Sequence, residues 1–276
     1  MVAFSIVELT EIDALRNLAD LFAEVWGRPG EPAINSDVLK ALAHSGNYVC
    51  GAYEGTRLVG GLVGWFGGVP PHELHMHSHI LGVVAASAAH GLGFELKQHQ
   101  RRWCLEREVK VIEWTTDPLV RRNAYFNLTK LGAEAHRYLV NVYGEMTDGI
   151  NAGEESDRLL ITWRLDSPFA EAAAAGRGPE PRLEQLRKDG AEEVLVVGDA
   201  GEPVASAKSS SSSPAFPRVL LCQVPEDIVS LRRSDPSLAR AWRLALRKAF
   251  TEAIDSGYEV SGATRSGWYM LEIGSN

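Results

Sequence analysis

Three histidines at alternate positions, His75, His77 and His79, are the residues best spaced to do chemistry together. Successive side chains of a β-strand point to opposite faces, so this spacing predicts three imidazoles on one face and Leu74, Met76, Ser78 and Ile80 on the other. An imidazole with a pKa near ~6.5 takes up or releases a proton around neutral pH, and it also ligates divalent metals. The triplet therefore has two chemical readings: imidazoles as proton acceptors, or a three-histidine metal site with Glu73 as the local carboxylate. No cysteine or familiar metal-ligand spacing accompanies the triplet, so the proton reading is preferred and no metal is expected.

The strand runs on through Leu81, Val83 and Val84 into a turn of small residues, Ala88-Ala89-His90-Gly91-Leu92-Gly93, which opens a helix. Backbone N–H groups at such a turn, backed by the helix dipole, form an anion cradle. Glycines at 91 and 93 let a phosphate approach the backbone closely, and a diphosphate is the natural guest. A dinucleotide-binding turn would follow the first strand and read GxGxxG; this one follows a hairpin and a fourth strand, and Lys97 breaks the count. No GxxxxGK run is present.

The elements around this turn follow from periodicity. FSIVEL alternates as a strand; Thr10 is placed to cap a helix carrying Ile12, Leu15, Leu18, Leu21, Phe22 and Val25 on one face. VLKALAHSG gives a second helix, and residues 48–68 a hairpin turning at Glu54-Gly55. After the histidine strand come a helix to about Arg107, the β-rich run VKVIEWTT, a helix opened by Pro118 and closed at Gly132, and two strands, RYLVNVYG and LLITWRLD. The order to residue 166 is βααβββαβαββ. Asn123 and Asn127, four apart on the helix after Pro118, are placed to reach a cofactor or substrate, with a structural hydrogen-bonding role as the plain alternative. Trp65, Phe66, Trp103 and Trp114 read as core or cleft wall, and Arg101-Arg102 as a solvated helix face.

Composition changes at Ser167 to AEAAAAGRGPEPR, which reads as a linker over 167–182. Beyond it EEVLVVGD, PVASAK and RVLLCQVP read as strands, interrupted by the serine run Ser209 to Ser213, a loop tip. A helix capped by Asp235, with Pro236 in its first turn and Leu238, Trp242, Ala245, Ala249 and Ala253 on one face, ends at Gly257 and feeds the strand YEVSGAT. Three strands, a helix and a strand repeat the order of the first lobe's centre, which suggests a degenerate second copy. The expected organisation is a domain over 1–166, a linker over 167–182 and a smaller α/β lobe over 183–276.

The chain has 276 residues, 45% hydrophobic and 23% charged, within the range of globular proteins, with no apolar run of the ~20 residues a membrane span needs. Its N-terminal residues lack the basic, apolar and small-residue pattern of a secretion signal, so a cytoplasmic location is expected. Cys50, Cys104 and Cys222 are widely spaced, and buried free thiols are expected. A formal net charge of -8 argues against nucleic acid and membrane surfaces as partners and leaves a small molecule. A homodimer stays open.

The order βααβββαβαββ with a glycine turn after the fourth strand resembles the GNAT superfamily of N-acyltransferases over residues 1–166. The family's signature there is Arg/Gln-x-x-Gly-x-Gly/Ala: Gly91 and Gly93 fit, and Ala88 stands where Arg or Gln is usual. The family's second signature ends in Tyr-x-x-x-Gly-Phe. Here Leu128 occupies the tyrosine position and Gly132-Ala133 the end, so the usual proton donor to the departing thiolate is vacant, with Tyr125, Tyr138 and Tyr143 as candidates. Residues 77–83, HSHILGV, are similar to the His-x-His-x-Leu-x-Val segment of arylalkylamine N-acetyltransferases.

The resemblance implies a mixed, mostly antiparallel α/β sheet splayed between strands 4 and 5, with acetyl-CoA or another acyl-CoA as cosubstrate. It implies a cofactor site of Leu81, Val83, Val84, Ala88, Ala89, His90, Gly91, Leu92, Gly93 and Asn123. His77 and His79 would draw the proton from a small-molecule amine through water, leaving it free to attack the thioester. An arylalkylamine or an amino acid would be the acceptor, and acetyl or a succinyl-type group the cargo. Two other classes remain as alternatives: a non-catalytic acyl-CoA-binding protein, and a hydrolase with metal on the three histidines.

Overall fold

The computed structural model describes residues 3–68, 74–88, 90–144, 155–178, 180–206 and 217–274. Glu73, Ala89 and the run Ser209 to Ser213 lie outside the described residues. The chain divides into two compact units, one essentially up to Trp114 and the other from Thr115 onward. Within the second unit, residues 134–139 pair with residues 158–164, and the former also meet a strand near the C-terminus through the pair Ala135 and Val260.

The first unit contains β1 (Ser5–Glu8), α1 (Ile12–Val25), α2 (Ser36–His44), β2 (Tyr48–Glu54), β3 (Arg57–Gly67), β4 (His75–Val83), α3 (Ala85–Ala88), α4 (Leu92–Leu105) and the start of β5 (Val111–Thr116). Its strands pair in chain order, antiparallel from β1 to β4 and parallel between β4 and β5. The parallel pair is possible because α4 returns the chain to the starting end of the sheet. Leu15, Leu18, Ala19, Leu21 and Phe22 of α1 are buried with Val49, Val63 and Ile80, which is the stripe the 3.6-residue period requires. Thr10 does not cap α1; Glu11 takes the cap position, in an extended conformation without a side-chain bond to the helix.

The second unit opens with a turn at Asp117, then α5 (Arg121–Ala124), which continues as a π-helical turn over Tyr125–Lys130. The helix thus starts three residues later than Pro118, because Asp117 Oδ1 takes the Leu119 N–H and closes a separate turn first. It ends where expected, with Gly132 at φ 70. There follow β6 (Glu134–Leu139), β7 (Arg158–Arg164), α6 (Pro168–Ala174), α7 (Leu183–Lys188), β8 (Glu192–Val197), β9 (Pro203–Ala205), β10 (Val219–Gln223), α8 (Ile228–Ser234), α9 (Pro236–Asp255), β11 (Tyr258–Ala263) and β12 (Trp268–Ile273). The element order to residue 166 is the one read from the sequence, with the short helix α3 added in what read as a loop of small residues.

The C-terminal region is not a second copy of the first in its pairing. β10 lies parallel to β8, and β12, which the sequence pattern did not mark, pairs antiparallel with both β10 and β11. A copy of the first unit would set β10 beside β9 and β11 directly beside β10. α9 keeps its Asp235 cap, with Leu238 N–H bonded to Asp235 Oδ1 at 2.9 Å, but its buried face is Ala239, Trp242, Arg243, Leu246, Phe250 and Ala253. Leu238, Ala245 and Ala249 are displaced from that face because the larger Leu246 and Phe250 take the core.

Candidate functional site

β4 is not a regular strand, and its irregularity sits among the histidines. Val63 of β3 faces Ile80, and the next residue, Gly64, faces Ser78, so His79 is an extra residue: a β-bulge. The bulge corrects the simple alternation. Met76 and Ser78 lie toward α4, but Ile80 moves to the side of the histidines and packs into the α1 core. Gly82 follows it there, where an added Cβ would stand 2.8 Å from Phe22, so α1 can approach only because that position is glycine.

The histidines gather on Trp65. Its ring centroid lies 5.0 Å from His77 and 4.5 Å from His79, and the two imidazoles are 5.7 Å apart. Trp65 is thus a wall of this site, half-buried on β3 opposite His77. His75 turns to Glu113, with Nε2 3.7 Å from Oε2. Burial, with the like charges of His79, His75 and Lys97 behind it, pushes the His77 pKa down to about 4. Burial also lowers that of His79. Both imidazoles are neutral at pH 7 and have a free lone pair for a proton. His75, His77 and His79 do not bring three ligand atoms together; among the described residues that convergence occurs at Glu134, His136 and Glu259 in the second unit.

Lys97, noted in the sequence only for breaking a glycine pattern, lies beneath this strand and is 4% exposed. Its Nζ donates to Ser78 Oγ at 2.8 Å and to Gln100 Oε1 at 3.5 Å, and it stands 3.7 Å from the centroid of the Trp114 ring. None of these partners carries a negative charge, and burial pushes the lysine down to about 7. Its signal in the sequence was its position: Lys97 shares the buried face of α4 with Gln100 and Cys104.

Two backbone donors complete the strand. Val84 N–H is bonded to Val59 O, and antiparallel alternation then turns the N–H groups of Leu81 and Val83 away from β3. They point to the β5 edge, where the parallel pairing has already ended at His77 and Glu113. Among the described residues these donors have no partner, and they stand beside two neutral imidazoles, an arrangement that can hold an oxyanion while a proton leaves.

At the end of β4 the turn is tighter than the sequence suggests. The N–H groups of Ala88, His90 and Gly91 are bonded within it, to Val84 O, Ser87 O and Ala88 O. Leu92 and Gly93 are the first residues of α4, so their N–H groups are the donors left for an anion. Gly91 has φ 82, a left-handed conformation that suits glycine, and no atom lies within 4 Å of where its Cβ would be. The first unit therefore brings together His77, His79, Leu81, Val83, Val84, Ala88, His90, Gly91, Leu92 and Gly93 on one strand and its following turn. Asn123 does not join them within this unit; it sits on α5 in the other.

The tyrosines considered as proton donors also belong to the second unit. Tyr138 donates to Asp157 Oδ2 at 2.7 Å, and burial and that carboxylate raise its pKa far above the usual value. Tyr143 OH lies 3.0 Å from Thr115 Oγ1, and Tyr125 lies under the Arg265 guanidinium. Leu128 is buried in the π-helical turn. The three cysteines are buried and free, and among the described residues no helix is long and apolar enough to cross a membrane.

No protein-family model matches the chain, and no curated protein sequence matches it. Solved structures do. An aminoglycoside acetyltransferase from an uncultured soil metagenomic sample, solved in complex with sisomicin, is 20% identical, with a TM-score of 0.38 covering 41% of this chain and 78% of that one. An N-acetyltransferase from Staphylococcus aureus Mu50 is 13% identical, with a TM-score of 0.48 covering 59% of this chain and 99% of that one. The ribosomal-protein-S18-alanine N-acetyltransferase from Escherichia coli is 12% identical, with a TM-score of 0.48 covering 60% of this chain and 96% of that one.

Proposed function

We propose that this chain is an acyl-CoA-dependent N-acyltransferase of the GNAT type, with the acyl thioester lying along the C-terminal half of β4. One observation carries the reading. The parallel pairing of β4 with β5 stops at His77 and Glu113, and beyond that point β4 offers the His79 bulge, the N–H groups of Leu81 and Val83, and the open turn at Gly91. A pantetheine chain can replace the missing strand partner, and its diphosphate suits the N-terminus of α4.

In this reading a water molecule links the acceptor's ammonium group to His77 and His79. The proton passes through water to an imidazole, the amine nitrogen forms a bond to the thioester carbonyl carbon, and the negative charge on the carbonyl oxygen meets the N–H groups of Leu81 and Val83. Collapse breaks the carbon–sulfur bond, and the departing coenzyme A sulfur, a thiol with a pKa near ~8.5, takes through water the second proton that the nitrogen loses as it becomes the amide. No covalent enzyme intermediate is needed. A small-molecule amine is the acceptor, an arylalkylamine or an amino acid, and the acyl group is acetyl or a succinyl type.

The test is thermal melting with acetyl-CoA, succinyl-CoA, free CoA, NADH and ATP, followed by transfer to an amine panel. A ligand at a hundred times its dissociation constant stabilises by ~2.7 kcal/mol, and the rise is expected for the CoA species alone. The double variant His77→Ala, His79→Ala should keep CoA binding and lose ~100-fold or more of the transfer rate. Transfer at the wild-type rate would remove the base assignment, absence of any response to CoA would remove the reading, and CoA binding without transfer would leave an acyl-CoA-binding protein.

A further inference from the structure

Three residues of the first unit lie in register across three strands. Trp65 of β3 faces His77 of β4, and His77 faces Glu113 of β5. Residues opposite one another in a sheet share a face, so the indole, the imidazole and the carboxylate form one row. The neighbours of Glu113 in β5 fix which face that is: Ile112 and Trp114 are buried, and Lys97 of α4 stands 3.7 Å from the centroid of the Trp114 ring. Glu113 therefore points away from α4, to the side of the histidines, with its side chain 27% exposed. Trp65 and His77 are half-buried on the same side.

The row presents an anion to a molecule that enters beside the histidines. His75 Nε2 stands 3.7 Å from Glu113 Oε2, beyond hydrogen-bond length. A carboxylate has about four acceptor positions on its two oxygens, so Glu113 can take an incoming ammonium group in addition to the partners it has. The imidazoles of His77 and His79, kept neutral by burial, do not repel that group. An alkylamine arrives as its ammonium ion, since its pKa is near ~10. An α-amino acid holds a carboxylate on the same carbon as its amine, and that carboxylate would lie against Glu113 with like charge.

We propose that Glu113 determines which acceptor is used: its carboxylate draws in a primary ammonium group beside His77 and rejects amines that carry a carboxylate on the same carbon. Of the two acceptor classes, arylalkylamine and amino acid, this selects the first, with the Trp65 indole as the wall for its aryl group. The assignment rests on the acyltransferase reading of this site. Ion pairing with Glu113 favours the charged form of the amine, so the carboxylate serves capture and the imidazoles take the proton. Its removal should therefore raise KM without lowering kcat.

The experiment uses the intact protein with acetyl-CoA and three acceptors of one skeleton: phenethylamine, L-phenylalaninamide and L-phenylalanine. The amide has the bulk of the amino acid without its negative charge. Phenethylamine and the amide should both be acetylated, and phenylalanine should have a kcat/KM at least ~10-fold lower. Glu113→Gln should raise the KM for phenethylamine at least ~10-fold, with no fall in kcat, and narrow the gap to phenylalanine. Phenylalanine used as well as phenethylamine, the amide as poor as the acid, or an unchanged KM in Glu113→Gln would each overturn the assignment. The wild-type series needs no variant, so it decides even if Glu113→Gln fails to fold. If no acyl-CoA species binds or no amine is acylated, the acyltransferase reading fails by itself, and calorimetry with the same three compounds still tests the row. Tighter binding of phenethylamine than of phenylalanine is expected there, and equal or absent binding would overturn the role of Glu113.

Discussion

Lys97 in the first unit and Arg243 in the second are both buried cations, 4% and 2% exposed, yet they meet opposite surroundings. Lys97 has a hydroxyl, an amide oxygen and an indole face, so burial presses it toward its neutral form at about 7. Arg243 has the Asp117 carboxylate in a two-bond grip and stays charged. Around Lys97 the imidazoles of His77 and His79 are also held neutral, whereas around Arg243 guanidiniums and carboxylates are interleaved. The first unit keeps titratable groups near the point where they exchange protons. The Asp117 cluster of the second holds guanidiniums and a carboxylate that do not titrate at neutral pH, which suits a scaffold.

The largest effect expected from this contrast is at Asp117. Burial alone would raise its pKa, but Arg243 and Arg232 hold its carboxyl well below the usual range. Asp117→Ala leaves two buried guanidiniums without a counter-charge and should cost about 3–5 kcal/mol, read as a shift of the urea unfolding midpoint at pH 7. Asp117→Asn should cost less, because the amide oxygen still accepts one guanidinium bond. A loss under ~1 kcal/mol for the alanine variant would mean the guanidiniums relax into solvent, and the contrast between the units would fail.

Removing Lys97 should do the reverse. Its folded pKa of about 7 lies below its ordinary value of 10.5, so the unfolded chain holds the proton more tightly. Falling pH favours unfolding between 10.5 and 7, and the penalty is complete below pH 7. Lys97→Met should therefore stabilise by about 1–4 kcal/mol at pH 6, with the gain shrinking as the pH approaches 10. Melting curves at both pH values decide it, since an equal gain at pH 6 and pH 10 would show that packing, and not charge, is responsible.

The sequence displays local features well and these buried charges poorly. The strand of alternating histidines, the glycine turn that ends it and the order of the first eleven elements are each set by a few neighbouring residues. The His79 bulge needs the register of β3, which no run of β4 contains. Asp117 meets Arg232 and Arg243 across 115 and 126 positions, and only the packed fold brings them together. β12 was missed because WYMLEI is apolar at nearly every position and lacks a clear alternation, as expected of a strand covered on both faces.

The smallest effect sharpens the comparison most directly, since the same residue type should titrate in opposite directions in the two units. His136, on β6, has Nε2 3.1 Å from Glu134 Oε1 and Nδ1 3.2 Å from Glu259 Oε1. The bond to Glu134 raises its pKa above 6.5, with Glu259 adding to it. Its contribution to stability is present below pH 6.5 and is lost as pH rises through the folded value. For His77 the folded pKa of about 4 lies below 6.5, so its contribution is present above pH 6.5 and is lost as pH falls toward 4. Proton NMR of the imidazole C–H signals, assigned through His77→Gln and His136→Gln, should place one midpoint on each side of 6.5. In Lys97→Met the His77 midpoint should move upward, because one of the like charges depressing it is gone, and the His136 midpoint should stay where it was. Coincident midpoints would mean that the environment of β4 does not hold its imidazoles neutral, and a His77 titrating at the ordinary value would be partly protonated at neutral pH and a poorer acceptor for the amine's proton.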